Sequence, residues 1–267
     1  MSDDIEQQVL VERTGAVAVV RFNRPAQLNA MTAQMSRQYA VLMRELDADA
    51  EVRAILVTGS GRGFCAGADV AILAEGGAAI SALIPPLEDL PMLGLRLSTP
   101  VVVAVNGPVA GIGFAYMLGG DVRFAAAEAK ISTTFARLGL VAEYGLSWLL
   151  PRLVGHGRAM DLLLSGRTVT GAEAREIGLV EYAVPADKVF DAALAYATDL
   201  AQSCSPYSMA RIKAQVLADA TTDLDSALYR SRWLMEESIF GADLSEALKA
   251  REEKRPPRFA APPVPRP

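Results

Sequence analysis

The sequence predicts an α/β fold, and three observations carry that prediction. "RAILVTGSG" and "PVVVAVNG" are short β-branched apolar runs that end in glycine. A stretch of helical character adjoins each run, and "DVRFAAA" then returns to strand character. Strands alternating with helices along one chain argue for an α/β architecture.

In order, "VLVERTGAVAVVRFN" holds two apolar runs around a Thr-Gly turn signal, a hairpin spanning Val9 to Phe22. The polar loop "NRPAQLNA" follows, and Thr32 is positioned to cap a helix reaching to Asp47. "RAILVTGSG" is a buried strand running into glycines. "PVVVAVNGPVAGIGFAYMLGGDVRFAAA" repeats that grammar: a strand at Val101 to Val105, a glycine-rich turn, a small-residue helix from Gly111, and a strand at Val122 to Ala125. From Gly157 the pattern is mostly helical, with a Thr170 cap and helices at Asp187 to Gln202 and Ser205 to Asp219. The end, "RPPRFAAPPVPRP", is too proline-rich for regular packing and reads as extended or disordered.

With 267 residues, 51% hydrophobic and 21% charged, the chain can bury a large core. Its net charge of -5 provides no overall basic field for nucleic acid or an anionic membrane. Cys65 and Cys204 lack metal-ligand or redox spacing and read as reduced thiols. The acidic N-terminus has no apolar signal core, and no run has the length of a membrane span. The expectation is a soluble, cytoplasmic protein with no nucleic-acid or membrane partner.

Two segments carry chemistry. "GFCAGADV" puts small residues directly after a strand, where backbone N–H groups can approach a ligand. "NGPVAGIGFAYM" opens a helix whose first N–H groups have no intrahelical acceptor and carry the positive end of the helix dipole. Together they can bind an oxyanion. The second is not a dinucleotide fingerprint, because its glycines do not fit that spacing.

These loops, with "RFNRPAQLNAM", "PRLVGHGRAMDLLLSGRTVTGAEAREIGLV" and "EEKRPPRF" in order around them, resemble the crotonase superfamily of enoyl-CoA hydratases and isomerases over nearly the whole chain. The resemblance implies a spiral of ββα units over residues 1–200, a helical oligomerisation region over 201–257, an extended or disordered tail over 258–267, and a homotrimer or hexamer. It also implies an acyl-CoA thioester substrate. Coenzyme A enters as part of that substrate, with no separate cofactor and no metal. The family's oxyanion donors fall on the backbone N–H groups of Ala68 and Ile112, the latter at a position where glycine is common. Ala26, Leu28 and Ala66 fall where backbone lines the CoA site, Asp69 adjoins it, and Lys254 is placed to meet CoA phosphate.

The chain departs from the two-glutamate hydratase, whose acid positions fall here on Ala115 and Phe135. Neither side chain transfers protons. Glu143, in the apolar run "LGLVAEYGLSW", instead falls where single-acid branches carry their acid. A carboxylate in such surroundings is expected to have a raised pKa. Its structural alternative is to cap the following helix or to pair with Arg137 or Arg152. Tyr144 can assist as a donor or simply pack; His156 reads as a surface turn residue, Cys65 as a small apolar one, and Asp69 as a fastener of its own loop. Three functions follow: a 3,2-enoyl-CoA isomerase with Glu143 as proton shuttle, a hydratase-like lyase using one acid, or a non-catalytic acyl-CoA binder.

Overall fold

The structure is a computed structural model that describes residues 7–82 and 84–260. Strands β1 (Val9–Thr14) and β2 (Val17–Phe22) form the expected antiparallel hairpin, with Val9 opposite Phe22. Gly15 turns it at φ +59°, a conformation open to glycine without steric cost. Helix α1 (Ala33–Ala48) follows, and the Thr32 side chain accepts the Met35 amide at 3.1 Å as its cap.

Strand β3 (Ala54–Gly59) then pairs parallel with β2. The short helices α2 (Val70–Glu75) and α3 (Gly77–Ser81) occupy the segment before β4 (Val101–Val105). Next come the two-residue β5 (Val109–Ala110), α4 (Ile112–Leu118), β6 (Val122–Ala126) and β7 (Lys130–Ser132). Helices α5 (Leu146–Val154) and α6 (His156–Ser165) lead to β8 (Thr168–Thr170), α7 (Gly171–Glu176) and β9 (Tyr182–Val184). The Thr170 side chain caps α7 through the Glu173 amide, as expected.

Six strands form one sheet in the order β1-β2-β3-β4-β6-β9, parallel from β2 onward. A second, small sheet joins β5, β7 and β8. Both faces of the large sheet are covered, which is why β3 and β4 read as unbroken apolar runs rather than alternating ones. One face, from Val17, Val19, Leu56 and Val102, packs on α8 (Val189–Ser203). That helix presents Val189, Ala193, Ala197 and Ala201 at a spacing of four, a narrow stripe that lets it lie close. The opposite face, from Val20, Ile55, Val57 and Val103, packs on Met35, Tyr39 and Met43 of α1.

Under the site lies an aromatic cluster. Phe22 meets Tyr39, Phe64 and Tyr116 at ring centroids 5.4–5.5 Å apart, and Tyr39 meets Tyr116 edge-on at 5.0 Å. Such pairs contribute about 0.5–1.5 kcal/mol each beyond their burial. The Tyr116 hydroxyl also bonds Ser36 Oγ at 2.9 Å, which ties α4 to α1.

Helices α9 (Pro206–Asp219), α10 (Leu224–Ile239) and α11 (Ala242–Glu252) complete the described chain. Lys213 roots α9 in the body: its ammonium bonds the carbonyls of Gly94 and Thr99, each at 3.0 Å, and the Asp121 carboxylate. At the C-terminal end Phe259 is buried, and its carbonyl accepts Arg53 Nη2 at 2.9 Å. Residues 261–267 of the tail expected to be extended or disordered lie outside the described residues. Among those described, no helix is long and apolar enough to cross a membrane.

Candidate active site

The site forms where the loop after β3 meets the start of α4. Two asparagine side chains hold that loop. Asn29, buried and itself at φ +57°, donates to the carbonyls of Ser60 and Gly63 at 2.9 and 2.8 Å, and its Oδ1 accepts the Arg24 amide at 2.8 Å. Asn106 donates to the carbonyls of Gly59 and Gly61 at 3.0 and 2.9 Å, and its Oδ1 accepts the Gly59 amide at 3.2 Å. An irregular, enclosed backbone needs such partners for its polar groups.

The bare amides follow from the pairing pattern. Met31 bridges Ala68 in parallel fashion: the Met31 amide donates to Gly67 O at 2.7 Å and its carbonyl accepts the Asp69 amide at 3.1 Å. Those bonds use the residues flanking Ala68, so the N–H of Ala68 faces the other way, as in any parallel ladder. It has no acceptor among the described residues. Cys65 bridges Val109 and so stitches the loop to β5, with Ala110 N–H donating to Cys65 O at 3.1 Å. Helix α4 opens immediately afterwards from Gly111, at φ +51°, and the Ile112 amide is likewise unpaired among the described residues.

The two loops touch. A Cβ built on Gly111 would stand 3.8 Å from Gly67 Cα, and one built on Gly67, at φ +108°, would stand 3.2 Å from Ala110 O. Ala66, Ala68 and Ile112 thereby line one cavity of about 330 Å³, within the size range of small-molecule sites. Its walls are apolar, from Val70, Leu73, Ile80, Ile84, Leu138 and Leu140.

Glu143 is the one carboxylate among the described lining residues. It is half-buried, and loss of solvent raises its pKa above the ordinary glutamate value. Among the described residues its carboxylate has neither a hydrogen-bond nor an ion-pair partner. Arg137 Nε donates to Ser165 O at 2.7 Å, while Arg152 donates to Trp148 O at 2.6 Å and stacks 4.0 Å over the Trp148 ring. Helix α5 is capped by Gly145 without a side chain. In the structure the Glu143 side chain therefore neither caps α5 nor pairs with Arg137 or Arg152.

Backbone conformation sets its position. Tyr144 and Gly145 follow at φ +54° and +80°, and Thr134, another lining residue, sits at φ +56°. Left-handed geometry costs a non-glycine residue on the order of 1 kcal/mol or more, and such outliers gather at functional sites. Burial, and then the neighbouring Glu143, push the Tyr144 phenol up to about 12, so it stays protonated at neutral pH.

Ala66 lines the cavity and donates its amide to Leu28 O at 3.0 Å. Ala26 and Leu28 lie on the turn beside that loop, with Leu28 against Gly63, but neither lines the cavity. Asp69 caps α2 through the Ala71 amide at 3.0 Å and pairs with Arg24 at 2.8 Å. Those two bonds, the first the larger cause, hold its carboxyl below the usual range. Lys254 stands exposed beyond the end of α11, outside the cavity lining. Ala115 and Phe135 are both buried, and Phe135 forms part of the cavity wall. Cys65 is buried, with its thiol pushed up to about 12, and His156 is exposed at the start of α6 rather than in a turn.

Sequence reasoning missed Asn29, Asn106 and Arg24 as the groups that shape the loop. The available signal was a side-chain amide next to each chain reversal, where buried backbone groups lack strand partners. Thr134 carried no signal, because a β-branched residue is a poor candidate for left-handed backbone.

Residues 12–262 match the enoyl-CoA hydratase/isomerase family model, and the chain belongs to that family, the crotonase superfamily. Among its relatives, 1,2-epoxyphenylacetyl-CoA isomerase of Escherichia coli is 33% identical over 257 residues, covering 91% of this chain and 94% of that protein. A probable enoyl-CoA hydratase of Mycobacterium bovis is 35% identical over 254 residues, covering 95% and 98%. A crystal structure of a probable enoyl-CoA hydratase/isomerase from Mycobacterium abscessus superposes with a TM-score of 0.88 at 32% identity, over 95% of this chain and 98% of that one. The mixed α/β architecture with its parallel sheet is therefore the crotonase fold.

Proposed function

We propose that the protein is a 3,2-enoyl-CoA isomerase in which Glu143 carries the proton. The observation behind this reading is an unpartnered, half-buried carboxylate lining the same cavity as the two unpaired amides. A 3-enoyl thioester carbonyl accepts both N–H groups, Glu143 takes a proton from C2, and the negative charge collects on the thioester oxygen as an enolate. Donors fixed in advance favour that oxyanion over the neutral carbonyl. Glu143 then returns the proton at C4, which leaves the double bond at C2. With Ala115 and Phe135 at the paired-acid positions, a second group to activate water is missing from both, so isomerisation is favoured over hydration. Side-by-side assays of 2-enoyl- and 3-enoyl-CoA esters with wild type and Glu143→Gln test the assignment. Hydration of 2-enoyl-CoA faster than isomerisation would favour a single-acid lyase; tight binding of every ester with no turnover would favour a binding protein.

The raised pKa sets a pH profile. Glu143 accepts a proton only when ionised, so kcat/KM for isomerisation should fall as pH drops through a value above the ordinary glutamate range. Glu143→Gln should flatten that acid limb. An unchanged limb in the variant would assign it to another group.

Residues 1–200 form the catalytic core in this reading and residues 201–257 an oligomerisation region. Ile212, Val216, Tyr229, Trp233, Phe240 and Leu248 of that region are exposed in the single chain, apolar surface available for contact between copies. Sedimentation should show a trimer or hexamer. A monomer at micromolar concentration would remove the oligomerisation role from these helices.

A further inference from the structure

Tyr144 lines the cavity beside Glu143, yet the proton-shuttle reading gives it no task. Its hydroxyl has no hydrogen-bond partner among the described residues. The buried side-chain atoms without a partner there are Arg123 Nε, Tyr207 Oη and Glu237 Oε2, and the Tyr144 oxygen is not one of them. It is therefore open to the space it borders, which is the cavity. Burial, and then the Glu143 charge, hold the phenol protonated at neutral pH, so it presents a neutral O–H donor. The backbone points the same way. Tyr144 stands at φ +54°, where an aromatic residue is strained and glycine would sit without cost. An apolar wall would need no hydroxyl at such a position.

Ligand entry changes the balance at that hydroxyl. Water can satisfy it in the open cavity, and an acyl group that fills the cavity displaces that water. A plain hydrocarbon then leaves the donor unpaired and desolvated, which weakens binding, whereas an oxygen acceptor restores the bond. The Glu143 charge beside the phenol favours a neutral acceptor over an anionic one.

We infer that Tyr144 is a specificity-determining residue: its hydroxyl donates to an uncharged ether, hydroxyl or carbonyl oxygen within the acyl group, so the preferred substrates are oxygenated acyl-CoA esters. That oxygen is distinct from the thioester oxygen, which the amides of Ala68 and Ile112 hold. This rests on the acyl-CoA reading of the site, but not on which reaction follows.

Calorimetric titration of the full-length protein with hexanoyl-, propoxyacetyl- and 4-methoxybutanoyl-CoA tests this. The two ethers match the hexanoyl chain in length and carry oxygen in place of its third or its fifth carbon. Neither has a double bond to move or a leaving group at C3, so the readout is independent of turnover. In the wild type at least one ether should bind as tightly as hexanoyl-CoA or more tightly, although oxygen makes the chain less hydrophobic. In Tyr144→Phe the affinity of that ether relative to hexanoyl-CoA should fall about tenfold, the scale of one hydrogen bond lost at a desolvated site. The ring and its packing remain in the variant, which should melt at or above wild type because no bond within the protein is removed. Equal affinity ratios in the two proteins for both ethers overturn the inference and leave the acyl-CoA reading in place. A clear drop in melting temperature also overturns it, by assigning the hydroxyl to a bond within the fold. Absence of binding by all three esters would overturn both this inference and the acyl-CoA reading beneath it.

Discussion

Glu143→Gln should lower 3-enoyl-CoA isomerisation by about 10²-fold or more, the usual scale for removing a general acid–base group. Glutamine keeps the size and much of the hydrogen-bonding capacity of glutamate but cannot accept the C2 proton. Exchange of that proton with solvent deuterium should fall in parallel, because it needs the same base and no completed turnover. Affinity for saturated CoA esters should hardly change: the amides of Ala68 and Ile112 belong to the main chain and stay where β5, α4 and the two asparagines hold them. The loss therefore belongs in kcat, the signature of an interaction made only as the transition state forms. Isomerisation and exchange at wild-type rates in the variant would sink the proton-shuttle mechanism.

The same substitution should not destabilise the protein at neutral pH. Burial raises the folded-state pKa of Glu143, so folding favours its protonated form. Its contribution is most favourable below the unfolded-state pKa of an ordinary glutamate and is lost as pH climbs to the raised value, above which the ionised group is a constant liability. Glutamine carries no such liability. Thermal melts at neutral pH should place Glu143→Gln level with or above wild type, the pattern expected where an active-site charge is held at some expense to stability.

What could be read from the chain depended on how local the determinant was. The β1–β2 hairpin, β3, β4 and the caps Thr32 and Thr170 were legible, because turn chemistry, apolar runs and side-chain caps act within a few residues. Ala68, Ile112 and Glu143 were singled out by resemblance to the crotonase motifs, and the structure brings all three to the lining of one cavity. Three features were not legible. Strands β5, β7 and β8 are two or three residues long, too short for any periodicity. The hydrogen bonds of Asn29 and Asn106 to the β3 loop join residues 31 to 47 positions apart. The course of α2 and α3, which supplies the cavity wall, follows no amphipathic pattern because neither helix buries a residue in the core.

Gly113→Ala should damage the site from the opposite direction, by moving the amides while leaving Glu143 in place. Gly113 is buried in the first turn of α4, one residue after Ile112. A Cβ there would stand 2.2 Å from Cys65 O and 2.9 Å from Cys65 Cβ, closer than nonbonded atoms approach. Cys65 O cannot give way alone, because it accepts the Ala110 amide in the bridge that joins the two loops. Either α4 retreats or the loop does, and both movements separate the Ile112 amide from that of Ala68. Overpacking of this kind costs about 1–3 kcal/mol of stability. Losing one oxyanion donor costs on the order of 10²–10³ in kcat in other acyl-transfer enzymes. Gly113→Ala should therefore lose both melting temperature and C2 proton exchange, unlike Glu143→Gln, which loses exchange alone. Gly157→Ala provides the matched control: it lies early in α6, a Cβ there meets nothing within 4 Å, and alanine favours helix by up to about 1 kcal/mol. That variant should melt at or above wild type with unchanged exchange. If Gly113→Ala matches it in both measurements, the close approach of α4 to the Cys65 loop does not set the position of the Ile112 amide.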